Sequence, residues 1–259
     1  MSEGVDTSPR DLVFTTMVWD QAQCIADLDA HIERMEHHAK RLRIQWPADM
    51  KQSITEAIAT LEFDELHPPC QPMGLLRLEL ARDGAINVQP RPFSIRNESV
   101  EAITVQAPRW SPKVNGTKHG DWQPYRDAMK QADHAGTDLA LLVHEYAIVD
   151  GDRATPIVFD EDGTAWLSSA SDGGVAGITA EILVPLLEAQ GIPVQRGRLN
   201  ERLVARAIEV IAVGSGLGVA QIESIDGEQM STNHGFAIKC QSLLTQHYEN
   251  KNAWSDVGA

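Results

Sequence analysis

Positive charge is scarce in this chain: 22 lysines and arginines face 37 aspartates and glutamates, a formal net charge of −15 over 259 residues. A field of that sign repels phosphate backbones and anionic membrane surfaces, so nucleic acid is not an expected partner. An anionic small substrate would have to be drawn in by individual cations and helix N-termini, which makes each cation informative. Cysteine is rare as well. Cys24, Cys70 and Cys240 are odd in number, far apart and without paired metal-ligand spacing, which argues against a disulfide framework and fits reduced thiols. No stretch approaches the length of a membrane span, and the polar run from Met1 to Arg10 has no apolar core flanked by basic residues, so the expected location is the cytoplasm. The nine histidines form no H-E-x-x-H arrangement and no G-x-S-x-G occurs, so neither a metal site nor a serine-hydrolase elbow is expected.

What is present is an ordinary globular composition, 42% hydrophobic and 23% charged, in a chain long enough for one large domain or two modest ones. Leu12 to Trp19 is β-branched and aromatic and predicts a strand. From Ile25 the apolar residues Leu28, Ile32, Met35, Ala39 and Leu42 step by three and four, predicting an amphipathic helix with Asp27 as N-cap, closed by Pro47. A second helix is expected over Ser53 to Phe63, then a proline-rich loop, Leu66 to Pro72. Strands over Leu75 to Leu80 and Ile86 to Val88 are joined at Asp83-Gly84, with a further strand over Val100 to Gln106. This first α+β lobe is expected to span residues 1–110. A larger α/β lobe over 111–259 alternates helix (Asp121 to Ala135), strands (Leu139 to Val143, Thr155 to Phe159, Thr164 to Ser168) and helices (Ala180 to Gln190, Glu201 to Ala207). An apolar run, Val210 to Val213, and a last helix, Phe236 to Glu249, complete it.

Several residues could carry chemistry. Lys118, in Val114-Asn-Gly-Thr-Lys-His-Gly-Asp-Trp122, sits just before a helix at the junction of the lobes, where a lysine can find the rigid, partly desolvated seat that amine nucleophiles need. Most lone lysines are solvated surface. The run Gly173-Gly-Val-Ala-Gly-Ile-Thr179 opens into a helix, and amides at a helix N-terminus, glycines and a threonine hydroxyl suit a phosphate monoester; a plain capped turn is the equal alternative. A second glycine turn, Gly214-Ser-Gly-Leu-Gly218, leads into a strand, which fails the context of a dinucleotide loop and leaves a phosphate-cradling turn. Arg34 borders the apolar face of the first helix and reads either as a bidentate phosphate ligand or as a surface ion-pair partner. Asp150 ends an apolar strand and reads either as a turn residue or as a carboxylate that holds a ring nitrogen protonated.

Taken in order, the Phe14-Thr15-Thr16 strand, the His31-Ile-Glu-Arg34 helix, Lys118-His119, Val149-Asp-Gly151, Gly177-Ile-Thr179 and Gly214-Ser215 resemble the fold-type IV, or class IV aminotransferase, pyridoxal-phosphate enzymes. The resemblance runs from about Leu12 to about Gly227. It implies a two-lobe α/β fold like that of D-amino acid aminotransferases, a homodimer, a small-molecule substrate and pyridoxal 5′-phosphate as cofactor. Carried over by position, Lys118 is the cofactor-bearing lysine, while Arg34, Ile178, Thr179 and Ser215 bind the phosphate. Asp150 takes the place of a glutamate that faces the pyridine nitrogen, Thr155 that of an asparagine, and Trp122 that of a tyrosine near the phenolic oxygen. Within the group, Phe-Thr-Thr and Lys-His resemble aminodeoxychorismate lyase, with Thr16 beside the catalytic lysine. A branched-chain or D-amino acid aminotransferase, and a member that binds without catalysis, remain as alternatives. Arg77, Arg91 and Arg153 are candidate substrate-carboxylate binders and equally surface ion-pair residues.

Overall fold

The computed structural model describes residues 8–21, 24–60, 74–91, 98–230 and 233–257. The proline-rich loop from Leu66 to Pro72, and Cys70 within it, lie outside them. In chain order the elements are β1 (Leu12–Trp19), β2 (Cys24–Ala26), α1 (Leu28–Leu42), α2 (Met50–Ala59), β3 (Gly74–Ala81), β4 (Ile86–Arg91), β5 (Val100–Gln106), α3 (Gln123–Ala135), β6 (Leu139–His144), β7 (Ala147–Gly151), β8 (Thr155–Asp160) and β9 (Ala165–Ser168). They continue with α4 (Ile178–Ala189), β10 (Val194–Gly197), β11 (Leu199–Asn200), α5 (Glu201–Ala205), β12 (Ala207–Gly214), β13 (Gly218–Ile225), β14 (Glu228–Gln229), α6 (Gly235–Glu249) and β15 (Trp254–Asp256). The class is mixed α/β. Among the described residues no helix is long and apolar enough to cross a membrane.

Two compact units emerge. The first is drawn from Met1–Phe93, Thr117–Trp122 and Lys251–Ala259, the second from Ser94–Gly116 and Gln123–Asn250. A single cut near residue 110 differs from this division for a backbone reason. β5 pairs in parallel with β13 and β6 and so belongs to the second unit's sheet. Lys118 and His119 run along β1, with Phe14 N–H donating to Lys118 C=O at 3.3 Å and a bridge between Val13 and His119, so the lysine is a first-unit residue.

The first unit is an antiparallel sheet in the order β15-β2-β1-β3-β4. Alternation along β1 and β3 sorts the side chains cleanly. Val13, Met17, Trp19, Leu76, Leu78 and Leu80 face one way and are buried, with α1 packed against β1 and α2 against β4. Phe14, Thr16, Arg77 and Glu79 share the opposite face. Two expectations for α1 change. Ile25 lies in β2, paired with Trp19, so the helix begins at Leu28. Its buried side is Leu28, His31, Met35, His38, Ala39 and Leu42, with Ile32 only partly buried.

The second unit is a sheet in the order β10-β9-β8-β12-β13-β5-β6-β7-β11, with β14 beside β13. β7 and β8 stand five strands apart in this order, roughly 24 Å along a flat sheet. Only three residues separate Gly151 from Thr155, and that length of chain reaches at most about 15 Å. The sheet must therefore curl back on itself. One surface buries Val100, Leu139, Leu141, Val158, Val210 and Ile222. The other buries Ile157, Leu167, Ile211 and Val219 beneath Leu183 and Leu187 of α4 and Phe236, Cys240 and Leu244 of α6.

Candidate functional site

In the first unit the reactive side chains gather around Lys118, which is partly buried. Its Nζ stands 5.1 Å from the Phe14 ring centroid and 4.9 Å from that of Trp122, and the two rings meet edge to face at 5.0 Å. Apolar rings near an ammonium offer it the face of their π-system while removing water from one side. Phe14 also carries Arg77, whose guanidinium carbon lies 3.7 Å from the ring centroid and whose Nε is paired with Glu79 at 2.7 Å. Thr16 pairs with Arg77 across the strands and shares the face of Phe14. His119 is buried beside Trp122, and burial lowers its pKa to about 4.

Thr15 points the other way, into α1. Arg34 Nη2 donates to Thr15 Oγ1 at 2.8 Å, and the same oxygen is 2.7 Å from His31 Nδ1. A guanidinium has only protons to give, so Thr15 accepts from Arg34 and passes its own hydrogen to His31. That arrangement requires a neutral imidazole. Burial, then the Arg34 and Lys118 charges, hold the His31 pKa well below its ordinary value. His31 and Thr15 thus fix the orientation of Arg34. Alternating polarity does not reveal them, because a buried histidine on an apolar stripe and a threonine facing inward look alike to packing residues.

In the second unit three turns meet at one end of the curled sheet. Asp150, 5% exposed at the end of β7, accepts at Oδ2 from Val175 N–H (2.9 Å) and the Tyr125 hydroxyl (3.2 Å), and at Oδ1 from Gly151 N–H (3.0 Å). Burial, and next the Asp150 charge, push the Tyr125 pKa well up, so the phenol keeps its proton. Asp150 therefore anchors the glycine run at Val175 as well as closing its own turn. Gly174 backs onto the Val149 carbonyl and Gly177 onto Thr155 Oγ1 so closely that a Cβ at either would collide. Behind them starts α4, with buried Ile178 and Thr179; its N-cap, Gly177, supplies no side-chain hydrogen bond, which leaves the first-turn amides for another acceptor. Ser215 lies in the three-residue turn between the paired Gly214 and Gly218, and Gly214 packs against Arg153 and Ala154. Val213 pairs with Thr155, which ties this turn to the glycine run.

The first unit thus brings together Lys118, Thr16 and Trp122 on one side of β1 and places Arg34 on the other. The second brings together Asp150, Ile178, Thr179 and Ser215. Of the arginines considered for a substrate carboxylate, Arg77 is held by Glu79, Arg91 donates to Gln89 at 2.8 Å, and Arg153 lies 3.4 Å from Asp152. Tyr125, three residues past Trp122, was not legible as a site residue: it is one more apolar position in a helix.

The residues present fit a phosphorylated aldehyde. In the first unit an amine held beside two aromatic rings suits an aldehyde; in the second a glycine-lined helix start without a side-chain cap and a hydroxyl-bearing turn suit a phosphate. Comparison with known proteins agrees. The family model described as amino-transferase class IV matches residues 12–225. A provisionally named branched-chain-amino-acid aminotransferase of Methanocaldococcus jannaschii is 24% identical over 217 residues, 77% of this chain and 74% of that one. A solved structure provisionally named 4-amino-4-deoxychorismate lyase is 26% identical, with a TM-score of 0.71 over 88% of each chain. The branched-chain aminotransferase of the thermophilic archaeon Thermoproteus uzoniensis, solved with norvaline, is 18% identical. It covers 96% of this chain and 90% of its own at a TM-score of 0.79, and so shares the fold. Another branched-chain amino acid aminotransferase of that fold, 19% identical with a TM-score of 0.78 over 99% of this chain and 95% of its own, was solved with N-(5′-phosphopyridoxyl)-L-glutamate.

Proposed function

Because the chain belongs to the amino-transferase class IV family, we propose that it is a pyridoxal 5′-phosphate enzyme acting as a 4-amino-4-deoxychorismate lyase, releasing pyruvate and 4-aminobenzoate. The observation that carries the reading is the seat of Lys118: a backbone fixed along β1 and an amine held beside two aromatic rings. When bound, the cofactor supplies an aldehyde for amines and a ring that withdraws electrons from the reacting carbon.

The chain's own groups do the rest. Lys118 carries the cofactor and, once released, takes and returns protons at Nζ. Thr16 orients that amine or delivers a proton to it. For the phosphate, Arg34, oriented by Thr15 and His31, would serve from the first unit, and the Ile178 and Thr179 amides, the Thr179 hydroxyl and Ser215 from the second. Asp150 would keep the ring nitrogen protonated, and Trp122 would take the part of the residue beside the phenolic oxygen. The same reading includes a homodimer, which sedimentation would measure.

What favours the lyase is Phe14-Thr15-Thr16 with Lys118-His119, and the 26% identity to a structure provisionally given that name. A branched-chain aminotransferase is the second reading, favoured by the relative from Methanocaldococcus jannaschii. Purified protein loaded with cofactor is assayed for 4-aminobenzoate and pyruvate from aminodeoxychorismate, beside 2-oxoglutarate-dependent turnover of amino acids. Product in the first assay alone supports the lyase, and turnover only in the second replaces it with the transaminase.

A further inference from the structure

α1 presents two buried histidines on one face, His31 and His38, seven residues and about two turns apart. His31 is engaged by Thr15. His38 has no place in the reading above, yet it is only 3% exposed and touches the chain at one telling atom: its Nδ1 accepts the backbone N–H of Lys118 at 3.2 Å. The carbonyl of the same residue accepts from Phe14 N–H at 3.3 Å. The backbone of Lys118 is therefore gripped at both its polar groups, by the edge of β1 on one side and by a helix-borne imidazole on the other.

We propose that His38 is a positioning residue that seats Lys118, its neutral Nδ1 fixing the backbone from which the amine projects. This rests on Lys118 being the reactive lysine. The chemistry demands a neutral ring, since an imidazolium would turn an N–H toward the Lys118 N–H and no acceptor would remain. The surroundings enforce neutrality. The charged and titratable groups that act on His38 are Arg34, Arg41 and His37 on its own helix and Lys118 opposite, all basic. Burial first, and these charges next, push its pKa down to about 2. The acceptor is thus present across the whole range in which an enzyme works. A histidine suits the task because its ring is rigid and its acceptor is held on the buried face of a helix.

The test compares wild type, His38→Asn and His38→Leu. The Asn oxygen stands near the position of Nδ1 and accepts, whereas Leu fills the space and cannot. In cofactor-free protein, hydrogen exchange at the Lys118 amide is expected to quicken about tenfold in His38→Leu, the loss of one ordinary hydrogen bond, and to stay within about twofold of wild type in His38→Asn. Acetylation of Lys118 Nζ, scaled to the exposed Lys113, should depart from wild type in the Leu variant and return in the Asn variant. In the holoenzyme, kcat should fall about tenfold in His38→Leu with KM little changed, and recover with Asn. If His38→Leu does not fold, His38→Gln, whose acceptor stands further out, replaces it with the same expectation. Unchanged exchange and acetylation in the Leu variant, or an Asn variant as impaired as the Leu variant, overturns the proposal. A wild-type protein in which borohydride fixes no cofactor on Lys118 overturns the proposed function instead, and the cofactor-free measurements still decide whether His38 seats the residue.

Discussion

Thr15 Oγ1 lies between Arg34 Nη2 and His31 Nδ1, at 2.8 and 2.7 Å, so that a fully buried hydroxyl links a strand to the helix that carries the cation. Thr15→Val keeps the shape and removes the hydroxyl. It leaves a buried imidazole and a partly buried guanidinium each short of one partner, which costs about 1–3 kcal/mol. Urea unfolding should show that loss, and the affinity for pyridoxal phosphate should fall with it because Arg34 is no longer oriented. An unchanged affinity beside a lowered stability would confine Thr15 to a packing role.

Acid should act on the first unit through its histidines. The folded-state pKa of His119 is about 4 and that of His38 about 2, while His31 lies well below its ordinary value. Depressed values mean that the unfolded chain binds more protons, so the stability from these neutral rings is full above about pH 6.5 and is lost as pH falls toward the folded values. Each histidine contributes up to about 1.4 kcal/mol per pH unit in that window. Urea midpoints measured from pH 8 to pH 5 should therefore drop steeply below pH 6.5, and less steeply in His38→Asn. A flat profile would show that the rings accept protons in place.

Asp152 has the opposite sign. Its carboxyl is buried, and desolvation outweighs the Arg153 charge and the Ala140 amide, raising the pKa to about 6. The folded state holds this proton beyond the point where the unfolded chain releases it, so the stability is full below about 3.8 and lost as pH rises through 6. Asp152→Asn keeps an acceptor for Ala140 N–H and has no charge to bury. It should stabilise the protein at pH 7.5 by on the order of 1–3 kcal/mol and change little at pH 4. Equal effects at both pH values would contradict the assignment.

A methyl group at position 177 tests the glycine run. Gly177→Ala drives Cβ into Thr155 Oγ1, and Thr155 is fixed at the head of β8 against Val213, so the start of α4 must shift. Cofactor affinity should fall at least tenfold, a loss of about 1.4 kcal/mol or more, with far-UV circular dichroism unchanged. Gly235→Ala, at the start of α6 in the same unit, has no left-handed backbone to strain and meets only ordinary van der Waals contacts, and serves as the control.

Elements with a clear period were legible in the sequence. β1 and β5 were read to the residue, and α3, α4 and α6 to within about two residues at each end. The order of motifs also led to the family that the comparisons show. What could not be read has physical causes. β11, β14 and β15 are too short to carry a pattern, β10 reads Val-Gln-Arg-Gly without apolar alternation, and all four exist because neighbouring strands offer edges. The division into units depends on which sheet β5 joins and on the Lys118 segment lying along β1, which are pairings between distant residues. His31, legible only as part of the His31-Ile-Glu-Arg34 motif, and His38 and Tyr125 carry no role of their own in the sequence, because burial and hydrogen-bond partners, rather than residue type, set them apart.

The most direct measurement is the position of the cofactor on the chain. Purified protein is incubated with pyridoxal 5′-phosphate, its absorbance near the visible edge recorded, the complex reduced with borohydride, and the digested peptides weighed. The account predicts a band bleached by borohydride and a single labelled peptide carrying Lys118, both absent in Lys118→Ala. No band, or a label on another lysine that survives in Lys118→Ala, would contradict it.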